Sequence, residues 1–163
     1  MPEAWGAPTQ SIRVRGVIVR DGRLLMDRTH HDDRDRFYWL PGGGLEAGET
    51  SEECLRRELM EEAALEIEVG RLLYVSENLY VESGDYRHEL ILYRLARVVG
   101  GPHGEPSDPR MHEWHRPGEQ PGPLLPAELA RPLAADFEDG FRRPIQHLVT
   151  DQRPVGAPRP AAQ

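Results

Sequence analysis

A glycine-rich run followed by an acidic helix constrains this chain more than any other feature. After the run at residues 41–44, Glu58, Glu61 and Glu62 recur at positions i, i+3 and i+4. At 3.6 residues per turn, these side chains fall within an arc of about 100° on one helical face. Like charges so close together repel one another, but hard divalent cations such as Mg²⁺ prefer oxygen ligands and reverse that cost. The spacing therefore predicts a helix that presents three carboxylates to a metal ion.

The start of this helix and its buried side are also readable from the sequence. Thr50 or Ser51 is the expected N-cap, and Thr50 with Glu53 has the spacing of a capping box. The apolar residues form a stripe beside the acidic face, namely Leu55, Leu59 and Ala63. One stripe is therefore expected to pack into a core while the next faces a cleft. We interpret Cys54 as a buried small hydrophobe rather than a reactive thiol.

The run Pro41 to Gly44 is expected to form a loop in front of the helix. Because glycine carries no side chain, such a loop lets the backbone come close to a ligand. A glycine-rich loop that leads into a helix N-terminus also suits a phosphate group. Together, the loop and the acidic helix favour a site for a metal ion and a phosphate.

The segment Gly43 to Leu65 resembles the Nudix box, the signature of the Nudix hydrolase family. The box runs from a glycine through a glutamate to an Arg-Glu-aliphatic-any-Glu-Glu core. Gly43, Glu49 and the run from Arg57 to Ala63 follow that order. Ala64 is the one departure, because the family has glycine there. Either Ala64 takes the left-handed conformation usual after a helix, at a cost of about 1 kcal/mol, or the helix runs one residue further.

The resemblance implies a metal-dependent hydrolase. It assigns Glu58, Glu61 and Glu62 as ligands of Mg²⁺ or Mn²⁺, with the Gly43 carbonyl as a further ligand. In such enzymes the metal ions lower the pKa of a bound water, which attacks the diphosphate linkage of a nucleoside diphosphate derivative. The general base varies within the family, so Glu61, Glu62 and Asp108 all stay open. Asp108 is included because one branch adds a loop carboxylate before the last strand, although a solvated loop acid is the alternative.

Further residues gain a role from the same resemblance. Arg57, within the box, is implied to orient Glu49. Arg28 lies where the nucleotide-sanitising branch places an arginine against the nucleotide, although a surface cation fits the sequence equally. Glu89 alternates with apolar residues in its strand, so its side chain is a candidate to face the cleft and bind the nucleotide. Trp39 would be suited to stacking on a base, but a tryptophan in a strand more often belongs to the core.

The composition is that of one acidic domain. The chain has 163 residues and a formal net charge of −8 at pH 7. That charge argues against a nucleic-acid surface but leaves room for nucleotides bound through metal ions. A single cysteine excludes an internal disulfide and fits a reducing cytoplasm. Because no apolar run approaches the ~18 residues of a membrane span, we expect a cytoplasmic protein with a small-molecule nucleotide partner and neither a nucleic-acid nor a membrane partner.

Periodicity and turn signals predict the domain organisation. We expect a flexible N-terminus at residues 1–10, a single Nudix-like domain at 11–150 and a flexible tail rich in proline and alanine at 151–163. The fold class is α+β, and the resemblance implies an α/β/α sandwich with a mixed central β-sheet.

Individual elements follow from the same signals. The predicted strands are residues 11–20, 23–27, 37–40, 67–80, 88–99 and 111–116, with a polar loop at 30–36. Tight turns are expected at Asp21-Gly22 and at Ser83-Gly84. Gly16 interrupts the alternation of the first strand, which indicates a bulge or a close backbone approach. A second helix is expected at 126–137, kinked or broken at Pro132.

Two other functions are alternatives to the hydrolase. The first is a catalytically silent Nudix-like module that senses nucleotides, but such modules usually lack box carboxylates and this chain keeps all three. The second is an isopentenyl-diphosphate isomerase-like activity, which needs a cysteine in the cleft, whereas Cys54 lies inside the helix. The substrate stays open among nucleoside triphosphates, ADP-ribose-type sugars and dinucleoside polyphosphates. Dimers are common in the family, so a homodimer is compatible with the resemblance.

Overall fold

The computed structural model describes residues 9–29, 36–101, 105–108 and 111–157. Most of the expected polar loop at 30–36 and the outer parts of both expected flexible ends lie outside the described residues. The elements are, in chain order, β1 (Thr9–Arg20), β2 (Arg23–Arg28), β3 (Tyr38–Trp39), β4 (Gly42–Gly44), α1 (Ser51–Ala63), β5 (Glu66–Glu82), β6 (Asp85–Gly100), β7 (His112–His115), α2 (Ala127–Glu138) and β8 (Gln146–Asp151).

The strands form one mixed sheet. Its main path runs β3-β2-β1-β6-β5-β8, with β4 added beside β1 and β7 beside β2. The pairs β1–β6 and β5–β8 are parallel, and the other pairs are antiparallel. Along one edge β1 changes partner, since residues 13–15 pair with β4 and residues 19–20 pair with β2. The sheet therefore forks beside the glycine-rich strand that leads towards α1.

One helix covers each face of the sheet. On one face, α1 buries the predicted stripe of Leu55, Leu59 and Ala63. On the opposite face, α2 buries Leu129 and Leu133 in a second apolar cluster. Burying one leucine side chain contributes about 1.5–3 kcal/mol, so these stripes hold both helices on the sheet. The predicted α/β/α sandwich with a mixed sheet is confirmed.

Both predicted tight turns are present. Asp21 and Gly22, between β1 and β2, have φ angles of 49° and 69°. Ser83 and Gly84, between β5 and β6, have φ angles of 52° and 84°. Positive φ at both central residues is the conformation whose twist matches that of a two-stranded hairpin. The second turn closes the long β5–β6 hairpin, on which the middle of the sheet is built.

The expectation of a loop at Pro41–Gly44 is wrong, because Gly42–Gly44 forms β4. Gly42 has a φ of 143°, and a Cβ on it would lie 2.0 Å from the carbonyl oxygen of Val14. Only glycine lets this segment approach β1 closely enough to pair with it. The glycines therefore serve strand pairing as well as access to a ligand.

The expected bulge at Gly16 is not found, but the close backbone approach is. β1 pairs with β6 in an unbroken parallel register from Thr9 to Ile18. The Gly16 N–H donates to the carbonyl oxygen of Pro41 at 2.7 Å. The alternation breaks here because both faces of β1 become buried under a helix, so Val17 and Ile18 are both fully buried.

Two further expectations about the second half of the chain need correction. Of the kink or break expected at Pro132, the break is wrong, since α2 continues through that residue. The proline costs about 3 kcal/mol in a helix interior, and the burial of Leu129 and Leu133 on either side outweighs it. β8 was not predicted, because its outward position carries Val149, which is 49% exposed and blurs the alternation.

The domain limits remain predictions, but the first and last strands extend slightly beyond the expected bounds of the domain. β1 begins at Thr9 rather than at residue 11, and β8 ends at Asp151. After β8, Arg153 donates to both carboxylate oxygens of Asp151 and to the hydroxyl of Tyr86. Within the described ranges, neither helix has the length and apolar character needed to cross a membrane.

Candidate functional site

The N-terminal end of α1 is closed by residues that are neighbours in the chain. Thr50 is the N-cap, and its hydroxyl accepts from the Glu53 N–H at 3.2 Å. The Glu53 carboxylate accepts in return from the Thr50 N–H at 2.7 Å. These hydrogen bonds lower the pKa of Glu53. The predicted capping box is confirmed, and Glu52 and Glu53 also suit the positive end of the helix dipole.

Behind the helix, the backbone of β4 lies against a box carboxylate. A Cβ on Gly43 would lie 2.2 Å from Cδ of Glu58, so the glycine makes room for that side chain. The Glu58 side chain is only 13% exposed. Any larger residue at position 43 would displace Glu58, which explains the glycine that opens the box. Gly43 thus stays a candidate to offer its carbonyl beside Glu58.

Arg57 connects the carboxylates around the start of the box helix. Its Nε and Nη2 donate to the two oxygens of Glu49 at 3.1 and 2.7 Å, in a bidentate pair. Its Nη1 donates to Glu58 at 2.9 Å and to Glu61 at 3.3 Å. The hydrogen bonds from Arg57 and from the Glu46 N–H hold the pKa of Glu49 at about 2. The expected orientation of Glu49 by Arg57 is confirmed.

Glu62 faces a cavity of about 660 Å³, which we call the box cavity. Its other lining residues are Asp27, Arg28, Thr29, Trp39, Met111 and His112. Desolvation by the surrounding protein raises the pKa of Glu62, and the charges of Asp27 and Glu58 add to that effect. The charges of His112 and Arg15 oppose it. Burial and two neighbouring carboxylates therefore make ionisation of Glu62 less favourable.

A buried histidine and aspartate stand behind the last turn of α1. His112 on β7 and Asp27 on β2 are cross-strand partners, 6% and 7% exposed. Nδ1 of His112 lies 2.6 Å from Oδ1 of Asp27, and Nε2 lies 3.2 Å from the carbonyl oxygen of Glu62. Burial opposes a charge on the ring, but the hydrogen bond and charge of Asp27, with the Glu62 carbonyl, raise the pKa of His112 overall. The ring thus links β2 and β7 to the box helix.

The C-terminal end of α1 is closed by groups distant in the chain. Ala64 has φ 52° and ψ 34°, so it takes the left-handed conformation and the helix does not run further. Its N–H donates to the carbonyl of Met60 at 3.1 Å. The Ser107 N–H donates to the carbonyl of Ala63 at 2.8 Å, beside the contact of His112 with Glu62. Ala64 therefore makes the local cap that glycine usually makes, and the hydrogen bond from Ser107 adds to it.

Arg28 lies in the wall of the box cavity, where the nucleotide-binding prediction needs it. Its Nη1 is 3.5 Å from Oε1 of Glu113. Glu113 also accepts from the Tyr38 hydroxyl at 3.0 Å and lies 2.6 Å from Nε2 of His115. The Glu113 carboxylate therefore holds the Arg28 guanidinium at the cavity, and Tyr38 and His115 contact the same carboxylate.

Glu89 lies in a different cavity, of about 350 Å³, which we call the sheet cavity. Residues of β5, β6 and β8 line it, including Asn78 and Thr150, and Trp39 lines it as well. The Nε of Arg13 donates to the Glu89 carboxylate at 3.0 Å. Because Trp39 lines both cavities, they are neighbours. The structure therefore does not bring Glu89 to the wall that Glu62 and Arg28 share.

The loop that carries Asp108 packs against the end of α1. Through Ser107 the segment 105–108 is hydrogen-bonded to Ala63, and the Asp108 carbonyl accepts from Met111 and His112. Glu105 is engaged by Nη2 of Arg20 at 2.5 Å. Asp108 is thus close in the chain to groups at the box, and its role as a base stays a prediction.

The residues present fit a hard divalent cation by their chemistry. Within the described ranges, no group of three or more His, Cys, Asp or Glu side chains lies closely enough together to hold a metal ion. Arg57 instead engages Glu58 and Glu61. The donors are all oxygens, as Mg²⁺ and Mn²⁺ prefer, and a cation would offset the charges of Asp27 and Glu58 that act on Glu62. Burial, with the neighbouring Glu49, raises the pKa of Cys54 to about 12, so its thiol is not a ligand at neutral pH.

Three functional candidates escaped the sequence reasoning, namely Arg15, Asp27 and His112. The Nη1 of Arg15 donates to the Leu40 carbonyl at 2.6 Å, and its guanidinium lies 6.0 Å from the Trp39 ring centre. Asp27 and His112 line the box cavity, whereas Arg15 lines the sheet cavity. No local motif marks these residues, because pairing between strands brings them to the cavities.

Comparison with known proteins gives consistent results over most of the chain. A family model described as the NUDIX domain matches residues 10–141. A MutT-like protein of Streptomyces ambofaciens is 45% identical over 47% of this chain and 48% of its own length. The NAD-capped RNA hydrolase NudC of Pectobacterium carotovorum is 30% identical over 74% of this chain and 44% of its own length.

A solved structure gives the same result in three dimensions. The MutT NUDIX hydrolase from Burkholderia pseudomallei superposes with a TM-score of 0.58 at 27% identity, over 78% of this chain and 97% of that one. The chain spans about half the length of the first curated relatives it matches. The residues matched by the family model run from β1 to the end of α2 and include the lining of the box cavity.

Proposed function

The chain belongs to the NUDIX domain family, and on that premise we propose that it hydrolyses the diphosphate linkage of a nucleoside diphosphate derivative with the help of Mg²⁺ or Mn²⁺. One observation carries the proposal. The acidic face of α1 ends at Glu62 on the wall of a 660 Å³ cavity whose lining also holds Arg28 and Trp39. Carboxylates for a cation, a guanidinium for phosphate and an indole for a base thus border one space.

Glu58, Glu61 and Glu62 would hold the divalent cation, with the Gly43 carbonyl as a further oxygen donor. A bound divalent cation supplies Lewis-acid chemistry, neutralising phosphate charge and lowering the pKa of a water molecule. Arg57 holds Glu58 and Glu61 through its Nη1, which reduces their mutual repulsion until a cation binds. The rigid pair with Glu49 fixes Arg57 in that position.

Arg28 and Arg15 would bind the phosphate oxygens of the substrate. Arg28 lines the box cavity, and Arg15 acts electrostatically on Glu62 while lying over Trp39. Guanidinium groups offer several N–H donors in a planar fork that suits phosphate. Catalysis would rest mostly on such positioning and charge stabilisation, as in phosphoryl transfer generally.

The base that takes the proton of the attacking water is proposed among Glu61, Glu62 and Asp108. The raised pKa of Glu62 favours it as a proton acceptor, because a less acidic carboxyl group holds a proton better. Glu89, in the sheet cavity, would then contact the nucleoside rather than the diphosphate.

The substrate class is proposed to be a small nucleotide. The formal net charge of −8 disfavours a polyanionic RNA body, which needs a basic surface. One relative is named as acting on NAD-capped RNA, so that RNA belongs in the test as a separate arm. A homodimer in the cytoplasm is retained as part of the proposal, and sedimentation analysis measures the oligomeric state.

The deciding experiment is prolonged incubation at pH 8–9 with Mg²⁺ or Mn²⁺ and a panel of nucleotides, read by mass spectrometry. The panel contains nucleoside triphosphates, ADP-ribose-type sugars, dinucleoside polyphosphates and NAD-capped RNA. We expect release of a nucleoside monophosphate that stops when EDTA removes the metal ion and rises towards alkaline pH. Tight binding of one nucleotide without any cleavage would instead establish a sensor and refute the hydrolase.

A further inference from the structure

We propose that His112 is a positioning residue for Glu62, held in its own place by Asp27. The inference rests on the proposed function, because it concerns how a carboxylate of the metal site is oriented. His112 and Asp27 lie outside the box and come from strands β7 and β2. Their contact with α1 is therefore a property of the tertiary structure alone.

The hydrogen bonds of the ring define this role. Nε2 of His112 contacts the main-chain carbonyl of Glu62 at 3.2 Å, fifty residues away in the chain. Nδ1 contacts the Asp27 carboxylate at 2.6 Å. Both partners are acceptors, so the ring donates in both directions and its orientation is fixed. A ring fixed at both nitrogens has no free group for chemistry on a substrate, although it lines the box cavity.

The last turn of α1 depends on such outside donors. Its residues from Met60 to Ala63 include no basic side chain, and the last four carbonyls of a helix have no partner within it. Ala64 and Leu65 donate to Met60 and Leu59, and Ser107 donates to Ala63. The Glu62 carbonyl is left to the His112 ring. Removing that donor frees the peptide unit that carries the Glu62 side chain.

A small shift of this peptide would move a metal ligand. Groups that hold the ligands of a metal site typically change metal affinity or activity 10–100-fold when they are removed. The Glu62 side chain is carried by the peptide unit whose carbonyl His112 contacts, so a shift of that unit moves the Glu62 carboxylate. The effect of His112 should therefore appear in metal binding.

The test compares glutamine and asparagine at position 112, whose amide groups lie at different distances from the main chain. The amide nitrogen of glutamine takes the position of Nε2, whereas that of asparagine takes the position of Nδ1. H112Q keeps the donor to the Glu62 carbonyl and loses the one to Asp27, and H112N does the reverse. Mn²⁺ binding to the full chain is measured by the loss of the free-ion EPR signal, without any substrate.

We expect H112N to weaken Mn²⁺ binding by about 10-fold or more, and H112Q to stay within about 3-fold of the native chain. Amide hydrogen exchange at residues 60–65 of the metal-free protein should speed up in H112N alone. Leu133→Ala serves as a control, since it destabilises the opposite layer and should leave the Mn²⁺ dissociation constant unchanged. Should H112N not fold, His112→Leu replaces it, because leucine keeps apolar bulk below the last turn and removes the donor to the Glu62 carbonyl.

The outcomes are separable from those of the proposed function. Equal Mn²⁺ affinity in the native chain, H112Q and H112N, or an equal loss in both variants, overturns the positioning role while the metal site stands. A native chain that binds no Mn²⁺ refutes the metal-dependent hydrolase and this inference with it. A loss confined to H112N supports both.

Discussion

The two ends of helix α1 are built in opposite ways. The N-terminal end is closed by Thr50 and Glu53, three residues apart, which exchange hydrogen bonds. The C-terminal end has a local cap at Ala64, and Ser107 and His112, which follow the β5–β6 hairpin in the chain, contact two further carbonyls. The first end needs only its own sequence, whereas the second gains these two contacts only once the sheet has assembled.

The two ends also differ in how their carboxylates interact with the helix dipole. Glu52 and Glu53 lie in the first turn, where the helix dipole favours carboxylates. Glu61 and Glu62 lie in the last turn, where the dipole disfavours them and basic residues are absent. The N-terminal acids thus stabilise the helix, and the C-terminal acids oppose it. Acids kept in an unfavourable place indicate a functional demand, which here is the proposed cation.

The largest expected effect is on kcat, and it compares one carboxylate at each end of α1. Glu62→Gln should lower kcat at least ~100-fold, because it removes a charge from the metal site, and electrostatic groups of this kind are worth 10²–10³-fold. Glu52→Gln makes the same chemical change on the same helix and should leave kcat within about 2-fold. Steady-state kinetics at saturating Mg²⁺ measures both. Native-like activity of Glu62→Gln would remove Glu62 from the site.

Next in size is the loss of the N-terminal cap. Thr50→Ala removes the acceptor for the Glu53 N–H and should lower the free energy of unfolding by about 1 kcal/mol. Mn²⁺ affinity should stay as in the native chain, since the cap lies at the end away from Glu62. Urea unfolding and Mn²⁺ titration measure the two quantities. A loss of metal affinity in Thr50→Ala would contradict the independence of the two ends.

A smaller effect of opposite sign is expected at the other end. The left-handed conformation costs alanine about 1 kcal/mol, and glycine loses about 0.5 kcal/mol more conformational entropy on folding. Ala64→Gly should therefore stabilise the protein by about 0.5 kcal/mol, as seen by urea unfolding. Destabilisation instead would mean that the Ala64 side chain makes contacts that outweigh the strain.

The smallest expected effect is in the acid range and concerns Glu49, just before the N-cap. Its pKa in the folded chain is about 2, below the ordinary 4.5. Its ionised form therefore stabilises the fold above pH 4.5, and that contribution is lost as the pH falls towards 2. Glu49→Gln should melt at a lower temperature than the native chain near neutral pH, and the difference should shrink below pH 4.5. A difference independent of pH would exclude the ion pair with Arg57 as its cause.

Much of the fold and part of the site could be predicted from the sequence. The capping box, the apolar stripe and the tight turns depend on residues that are close in the chain, so their patterns survive as local signals. The box residues are also close together in the chain, and the resemblance that they show to the family implied the α/β/α sandwich. β8 was missed because its exposed position is apolar, and the strand at Gly42–Gly44 was missed because glycine-rich runs usually read as loops.

The sequence by itself determined where α1 begins, which of its faces is buried and which carboxylates share the other face. Those properties follow from helical periodicity and from hydrogen bonds between near neighbours. Only the tertiary structure decided what stands behind Glu62, because the register of β2 with β7 brings His112 beside Asp27 and under the last turn. It also supplied a second donor from a distant segment at this end of the helix, since the Ser107 N–H takes the Ala63 carbonyl. Pairing between distant strands leaves no periodic trace in a single sequence, and so the support of the site had to be seen in three dimensions.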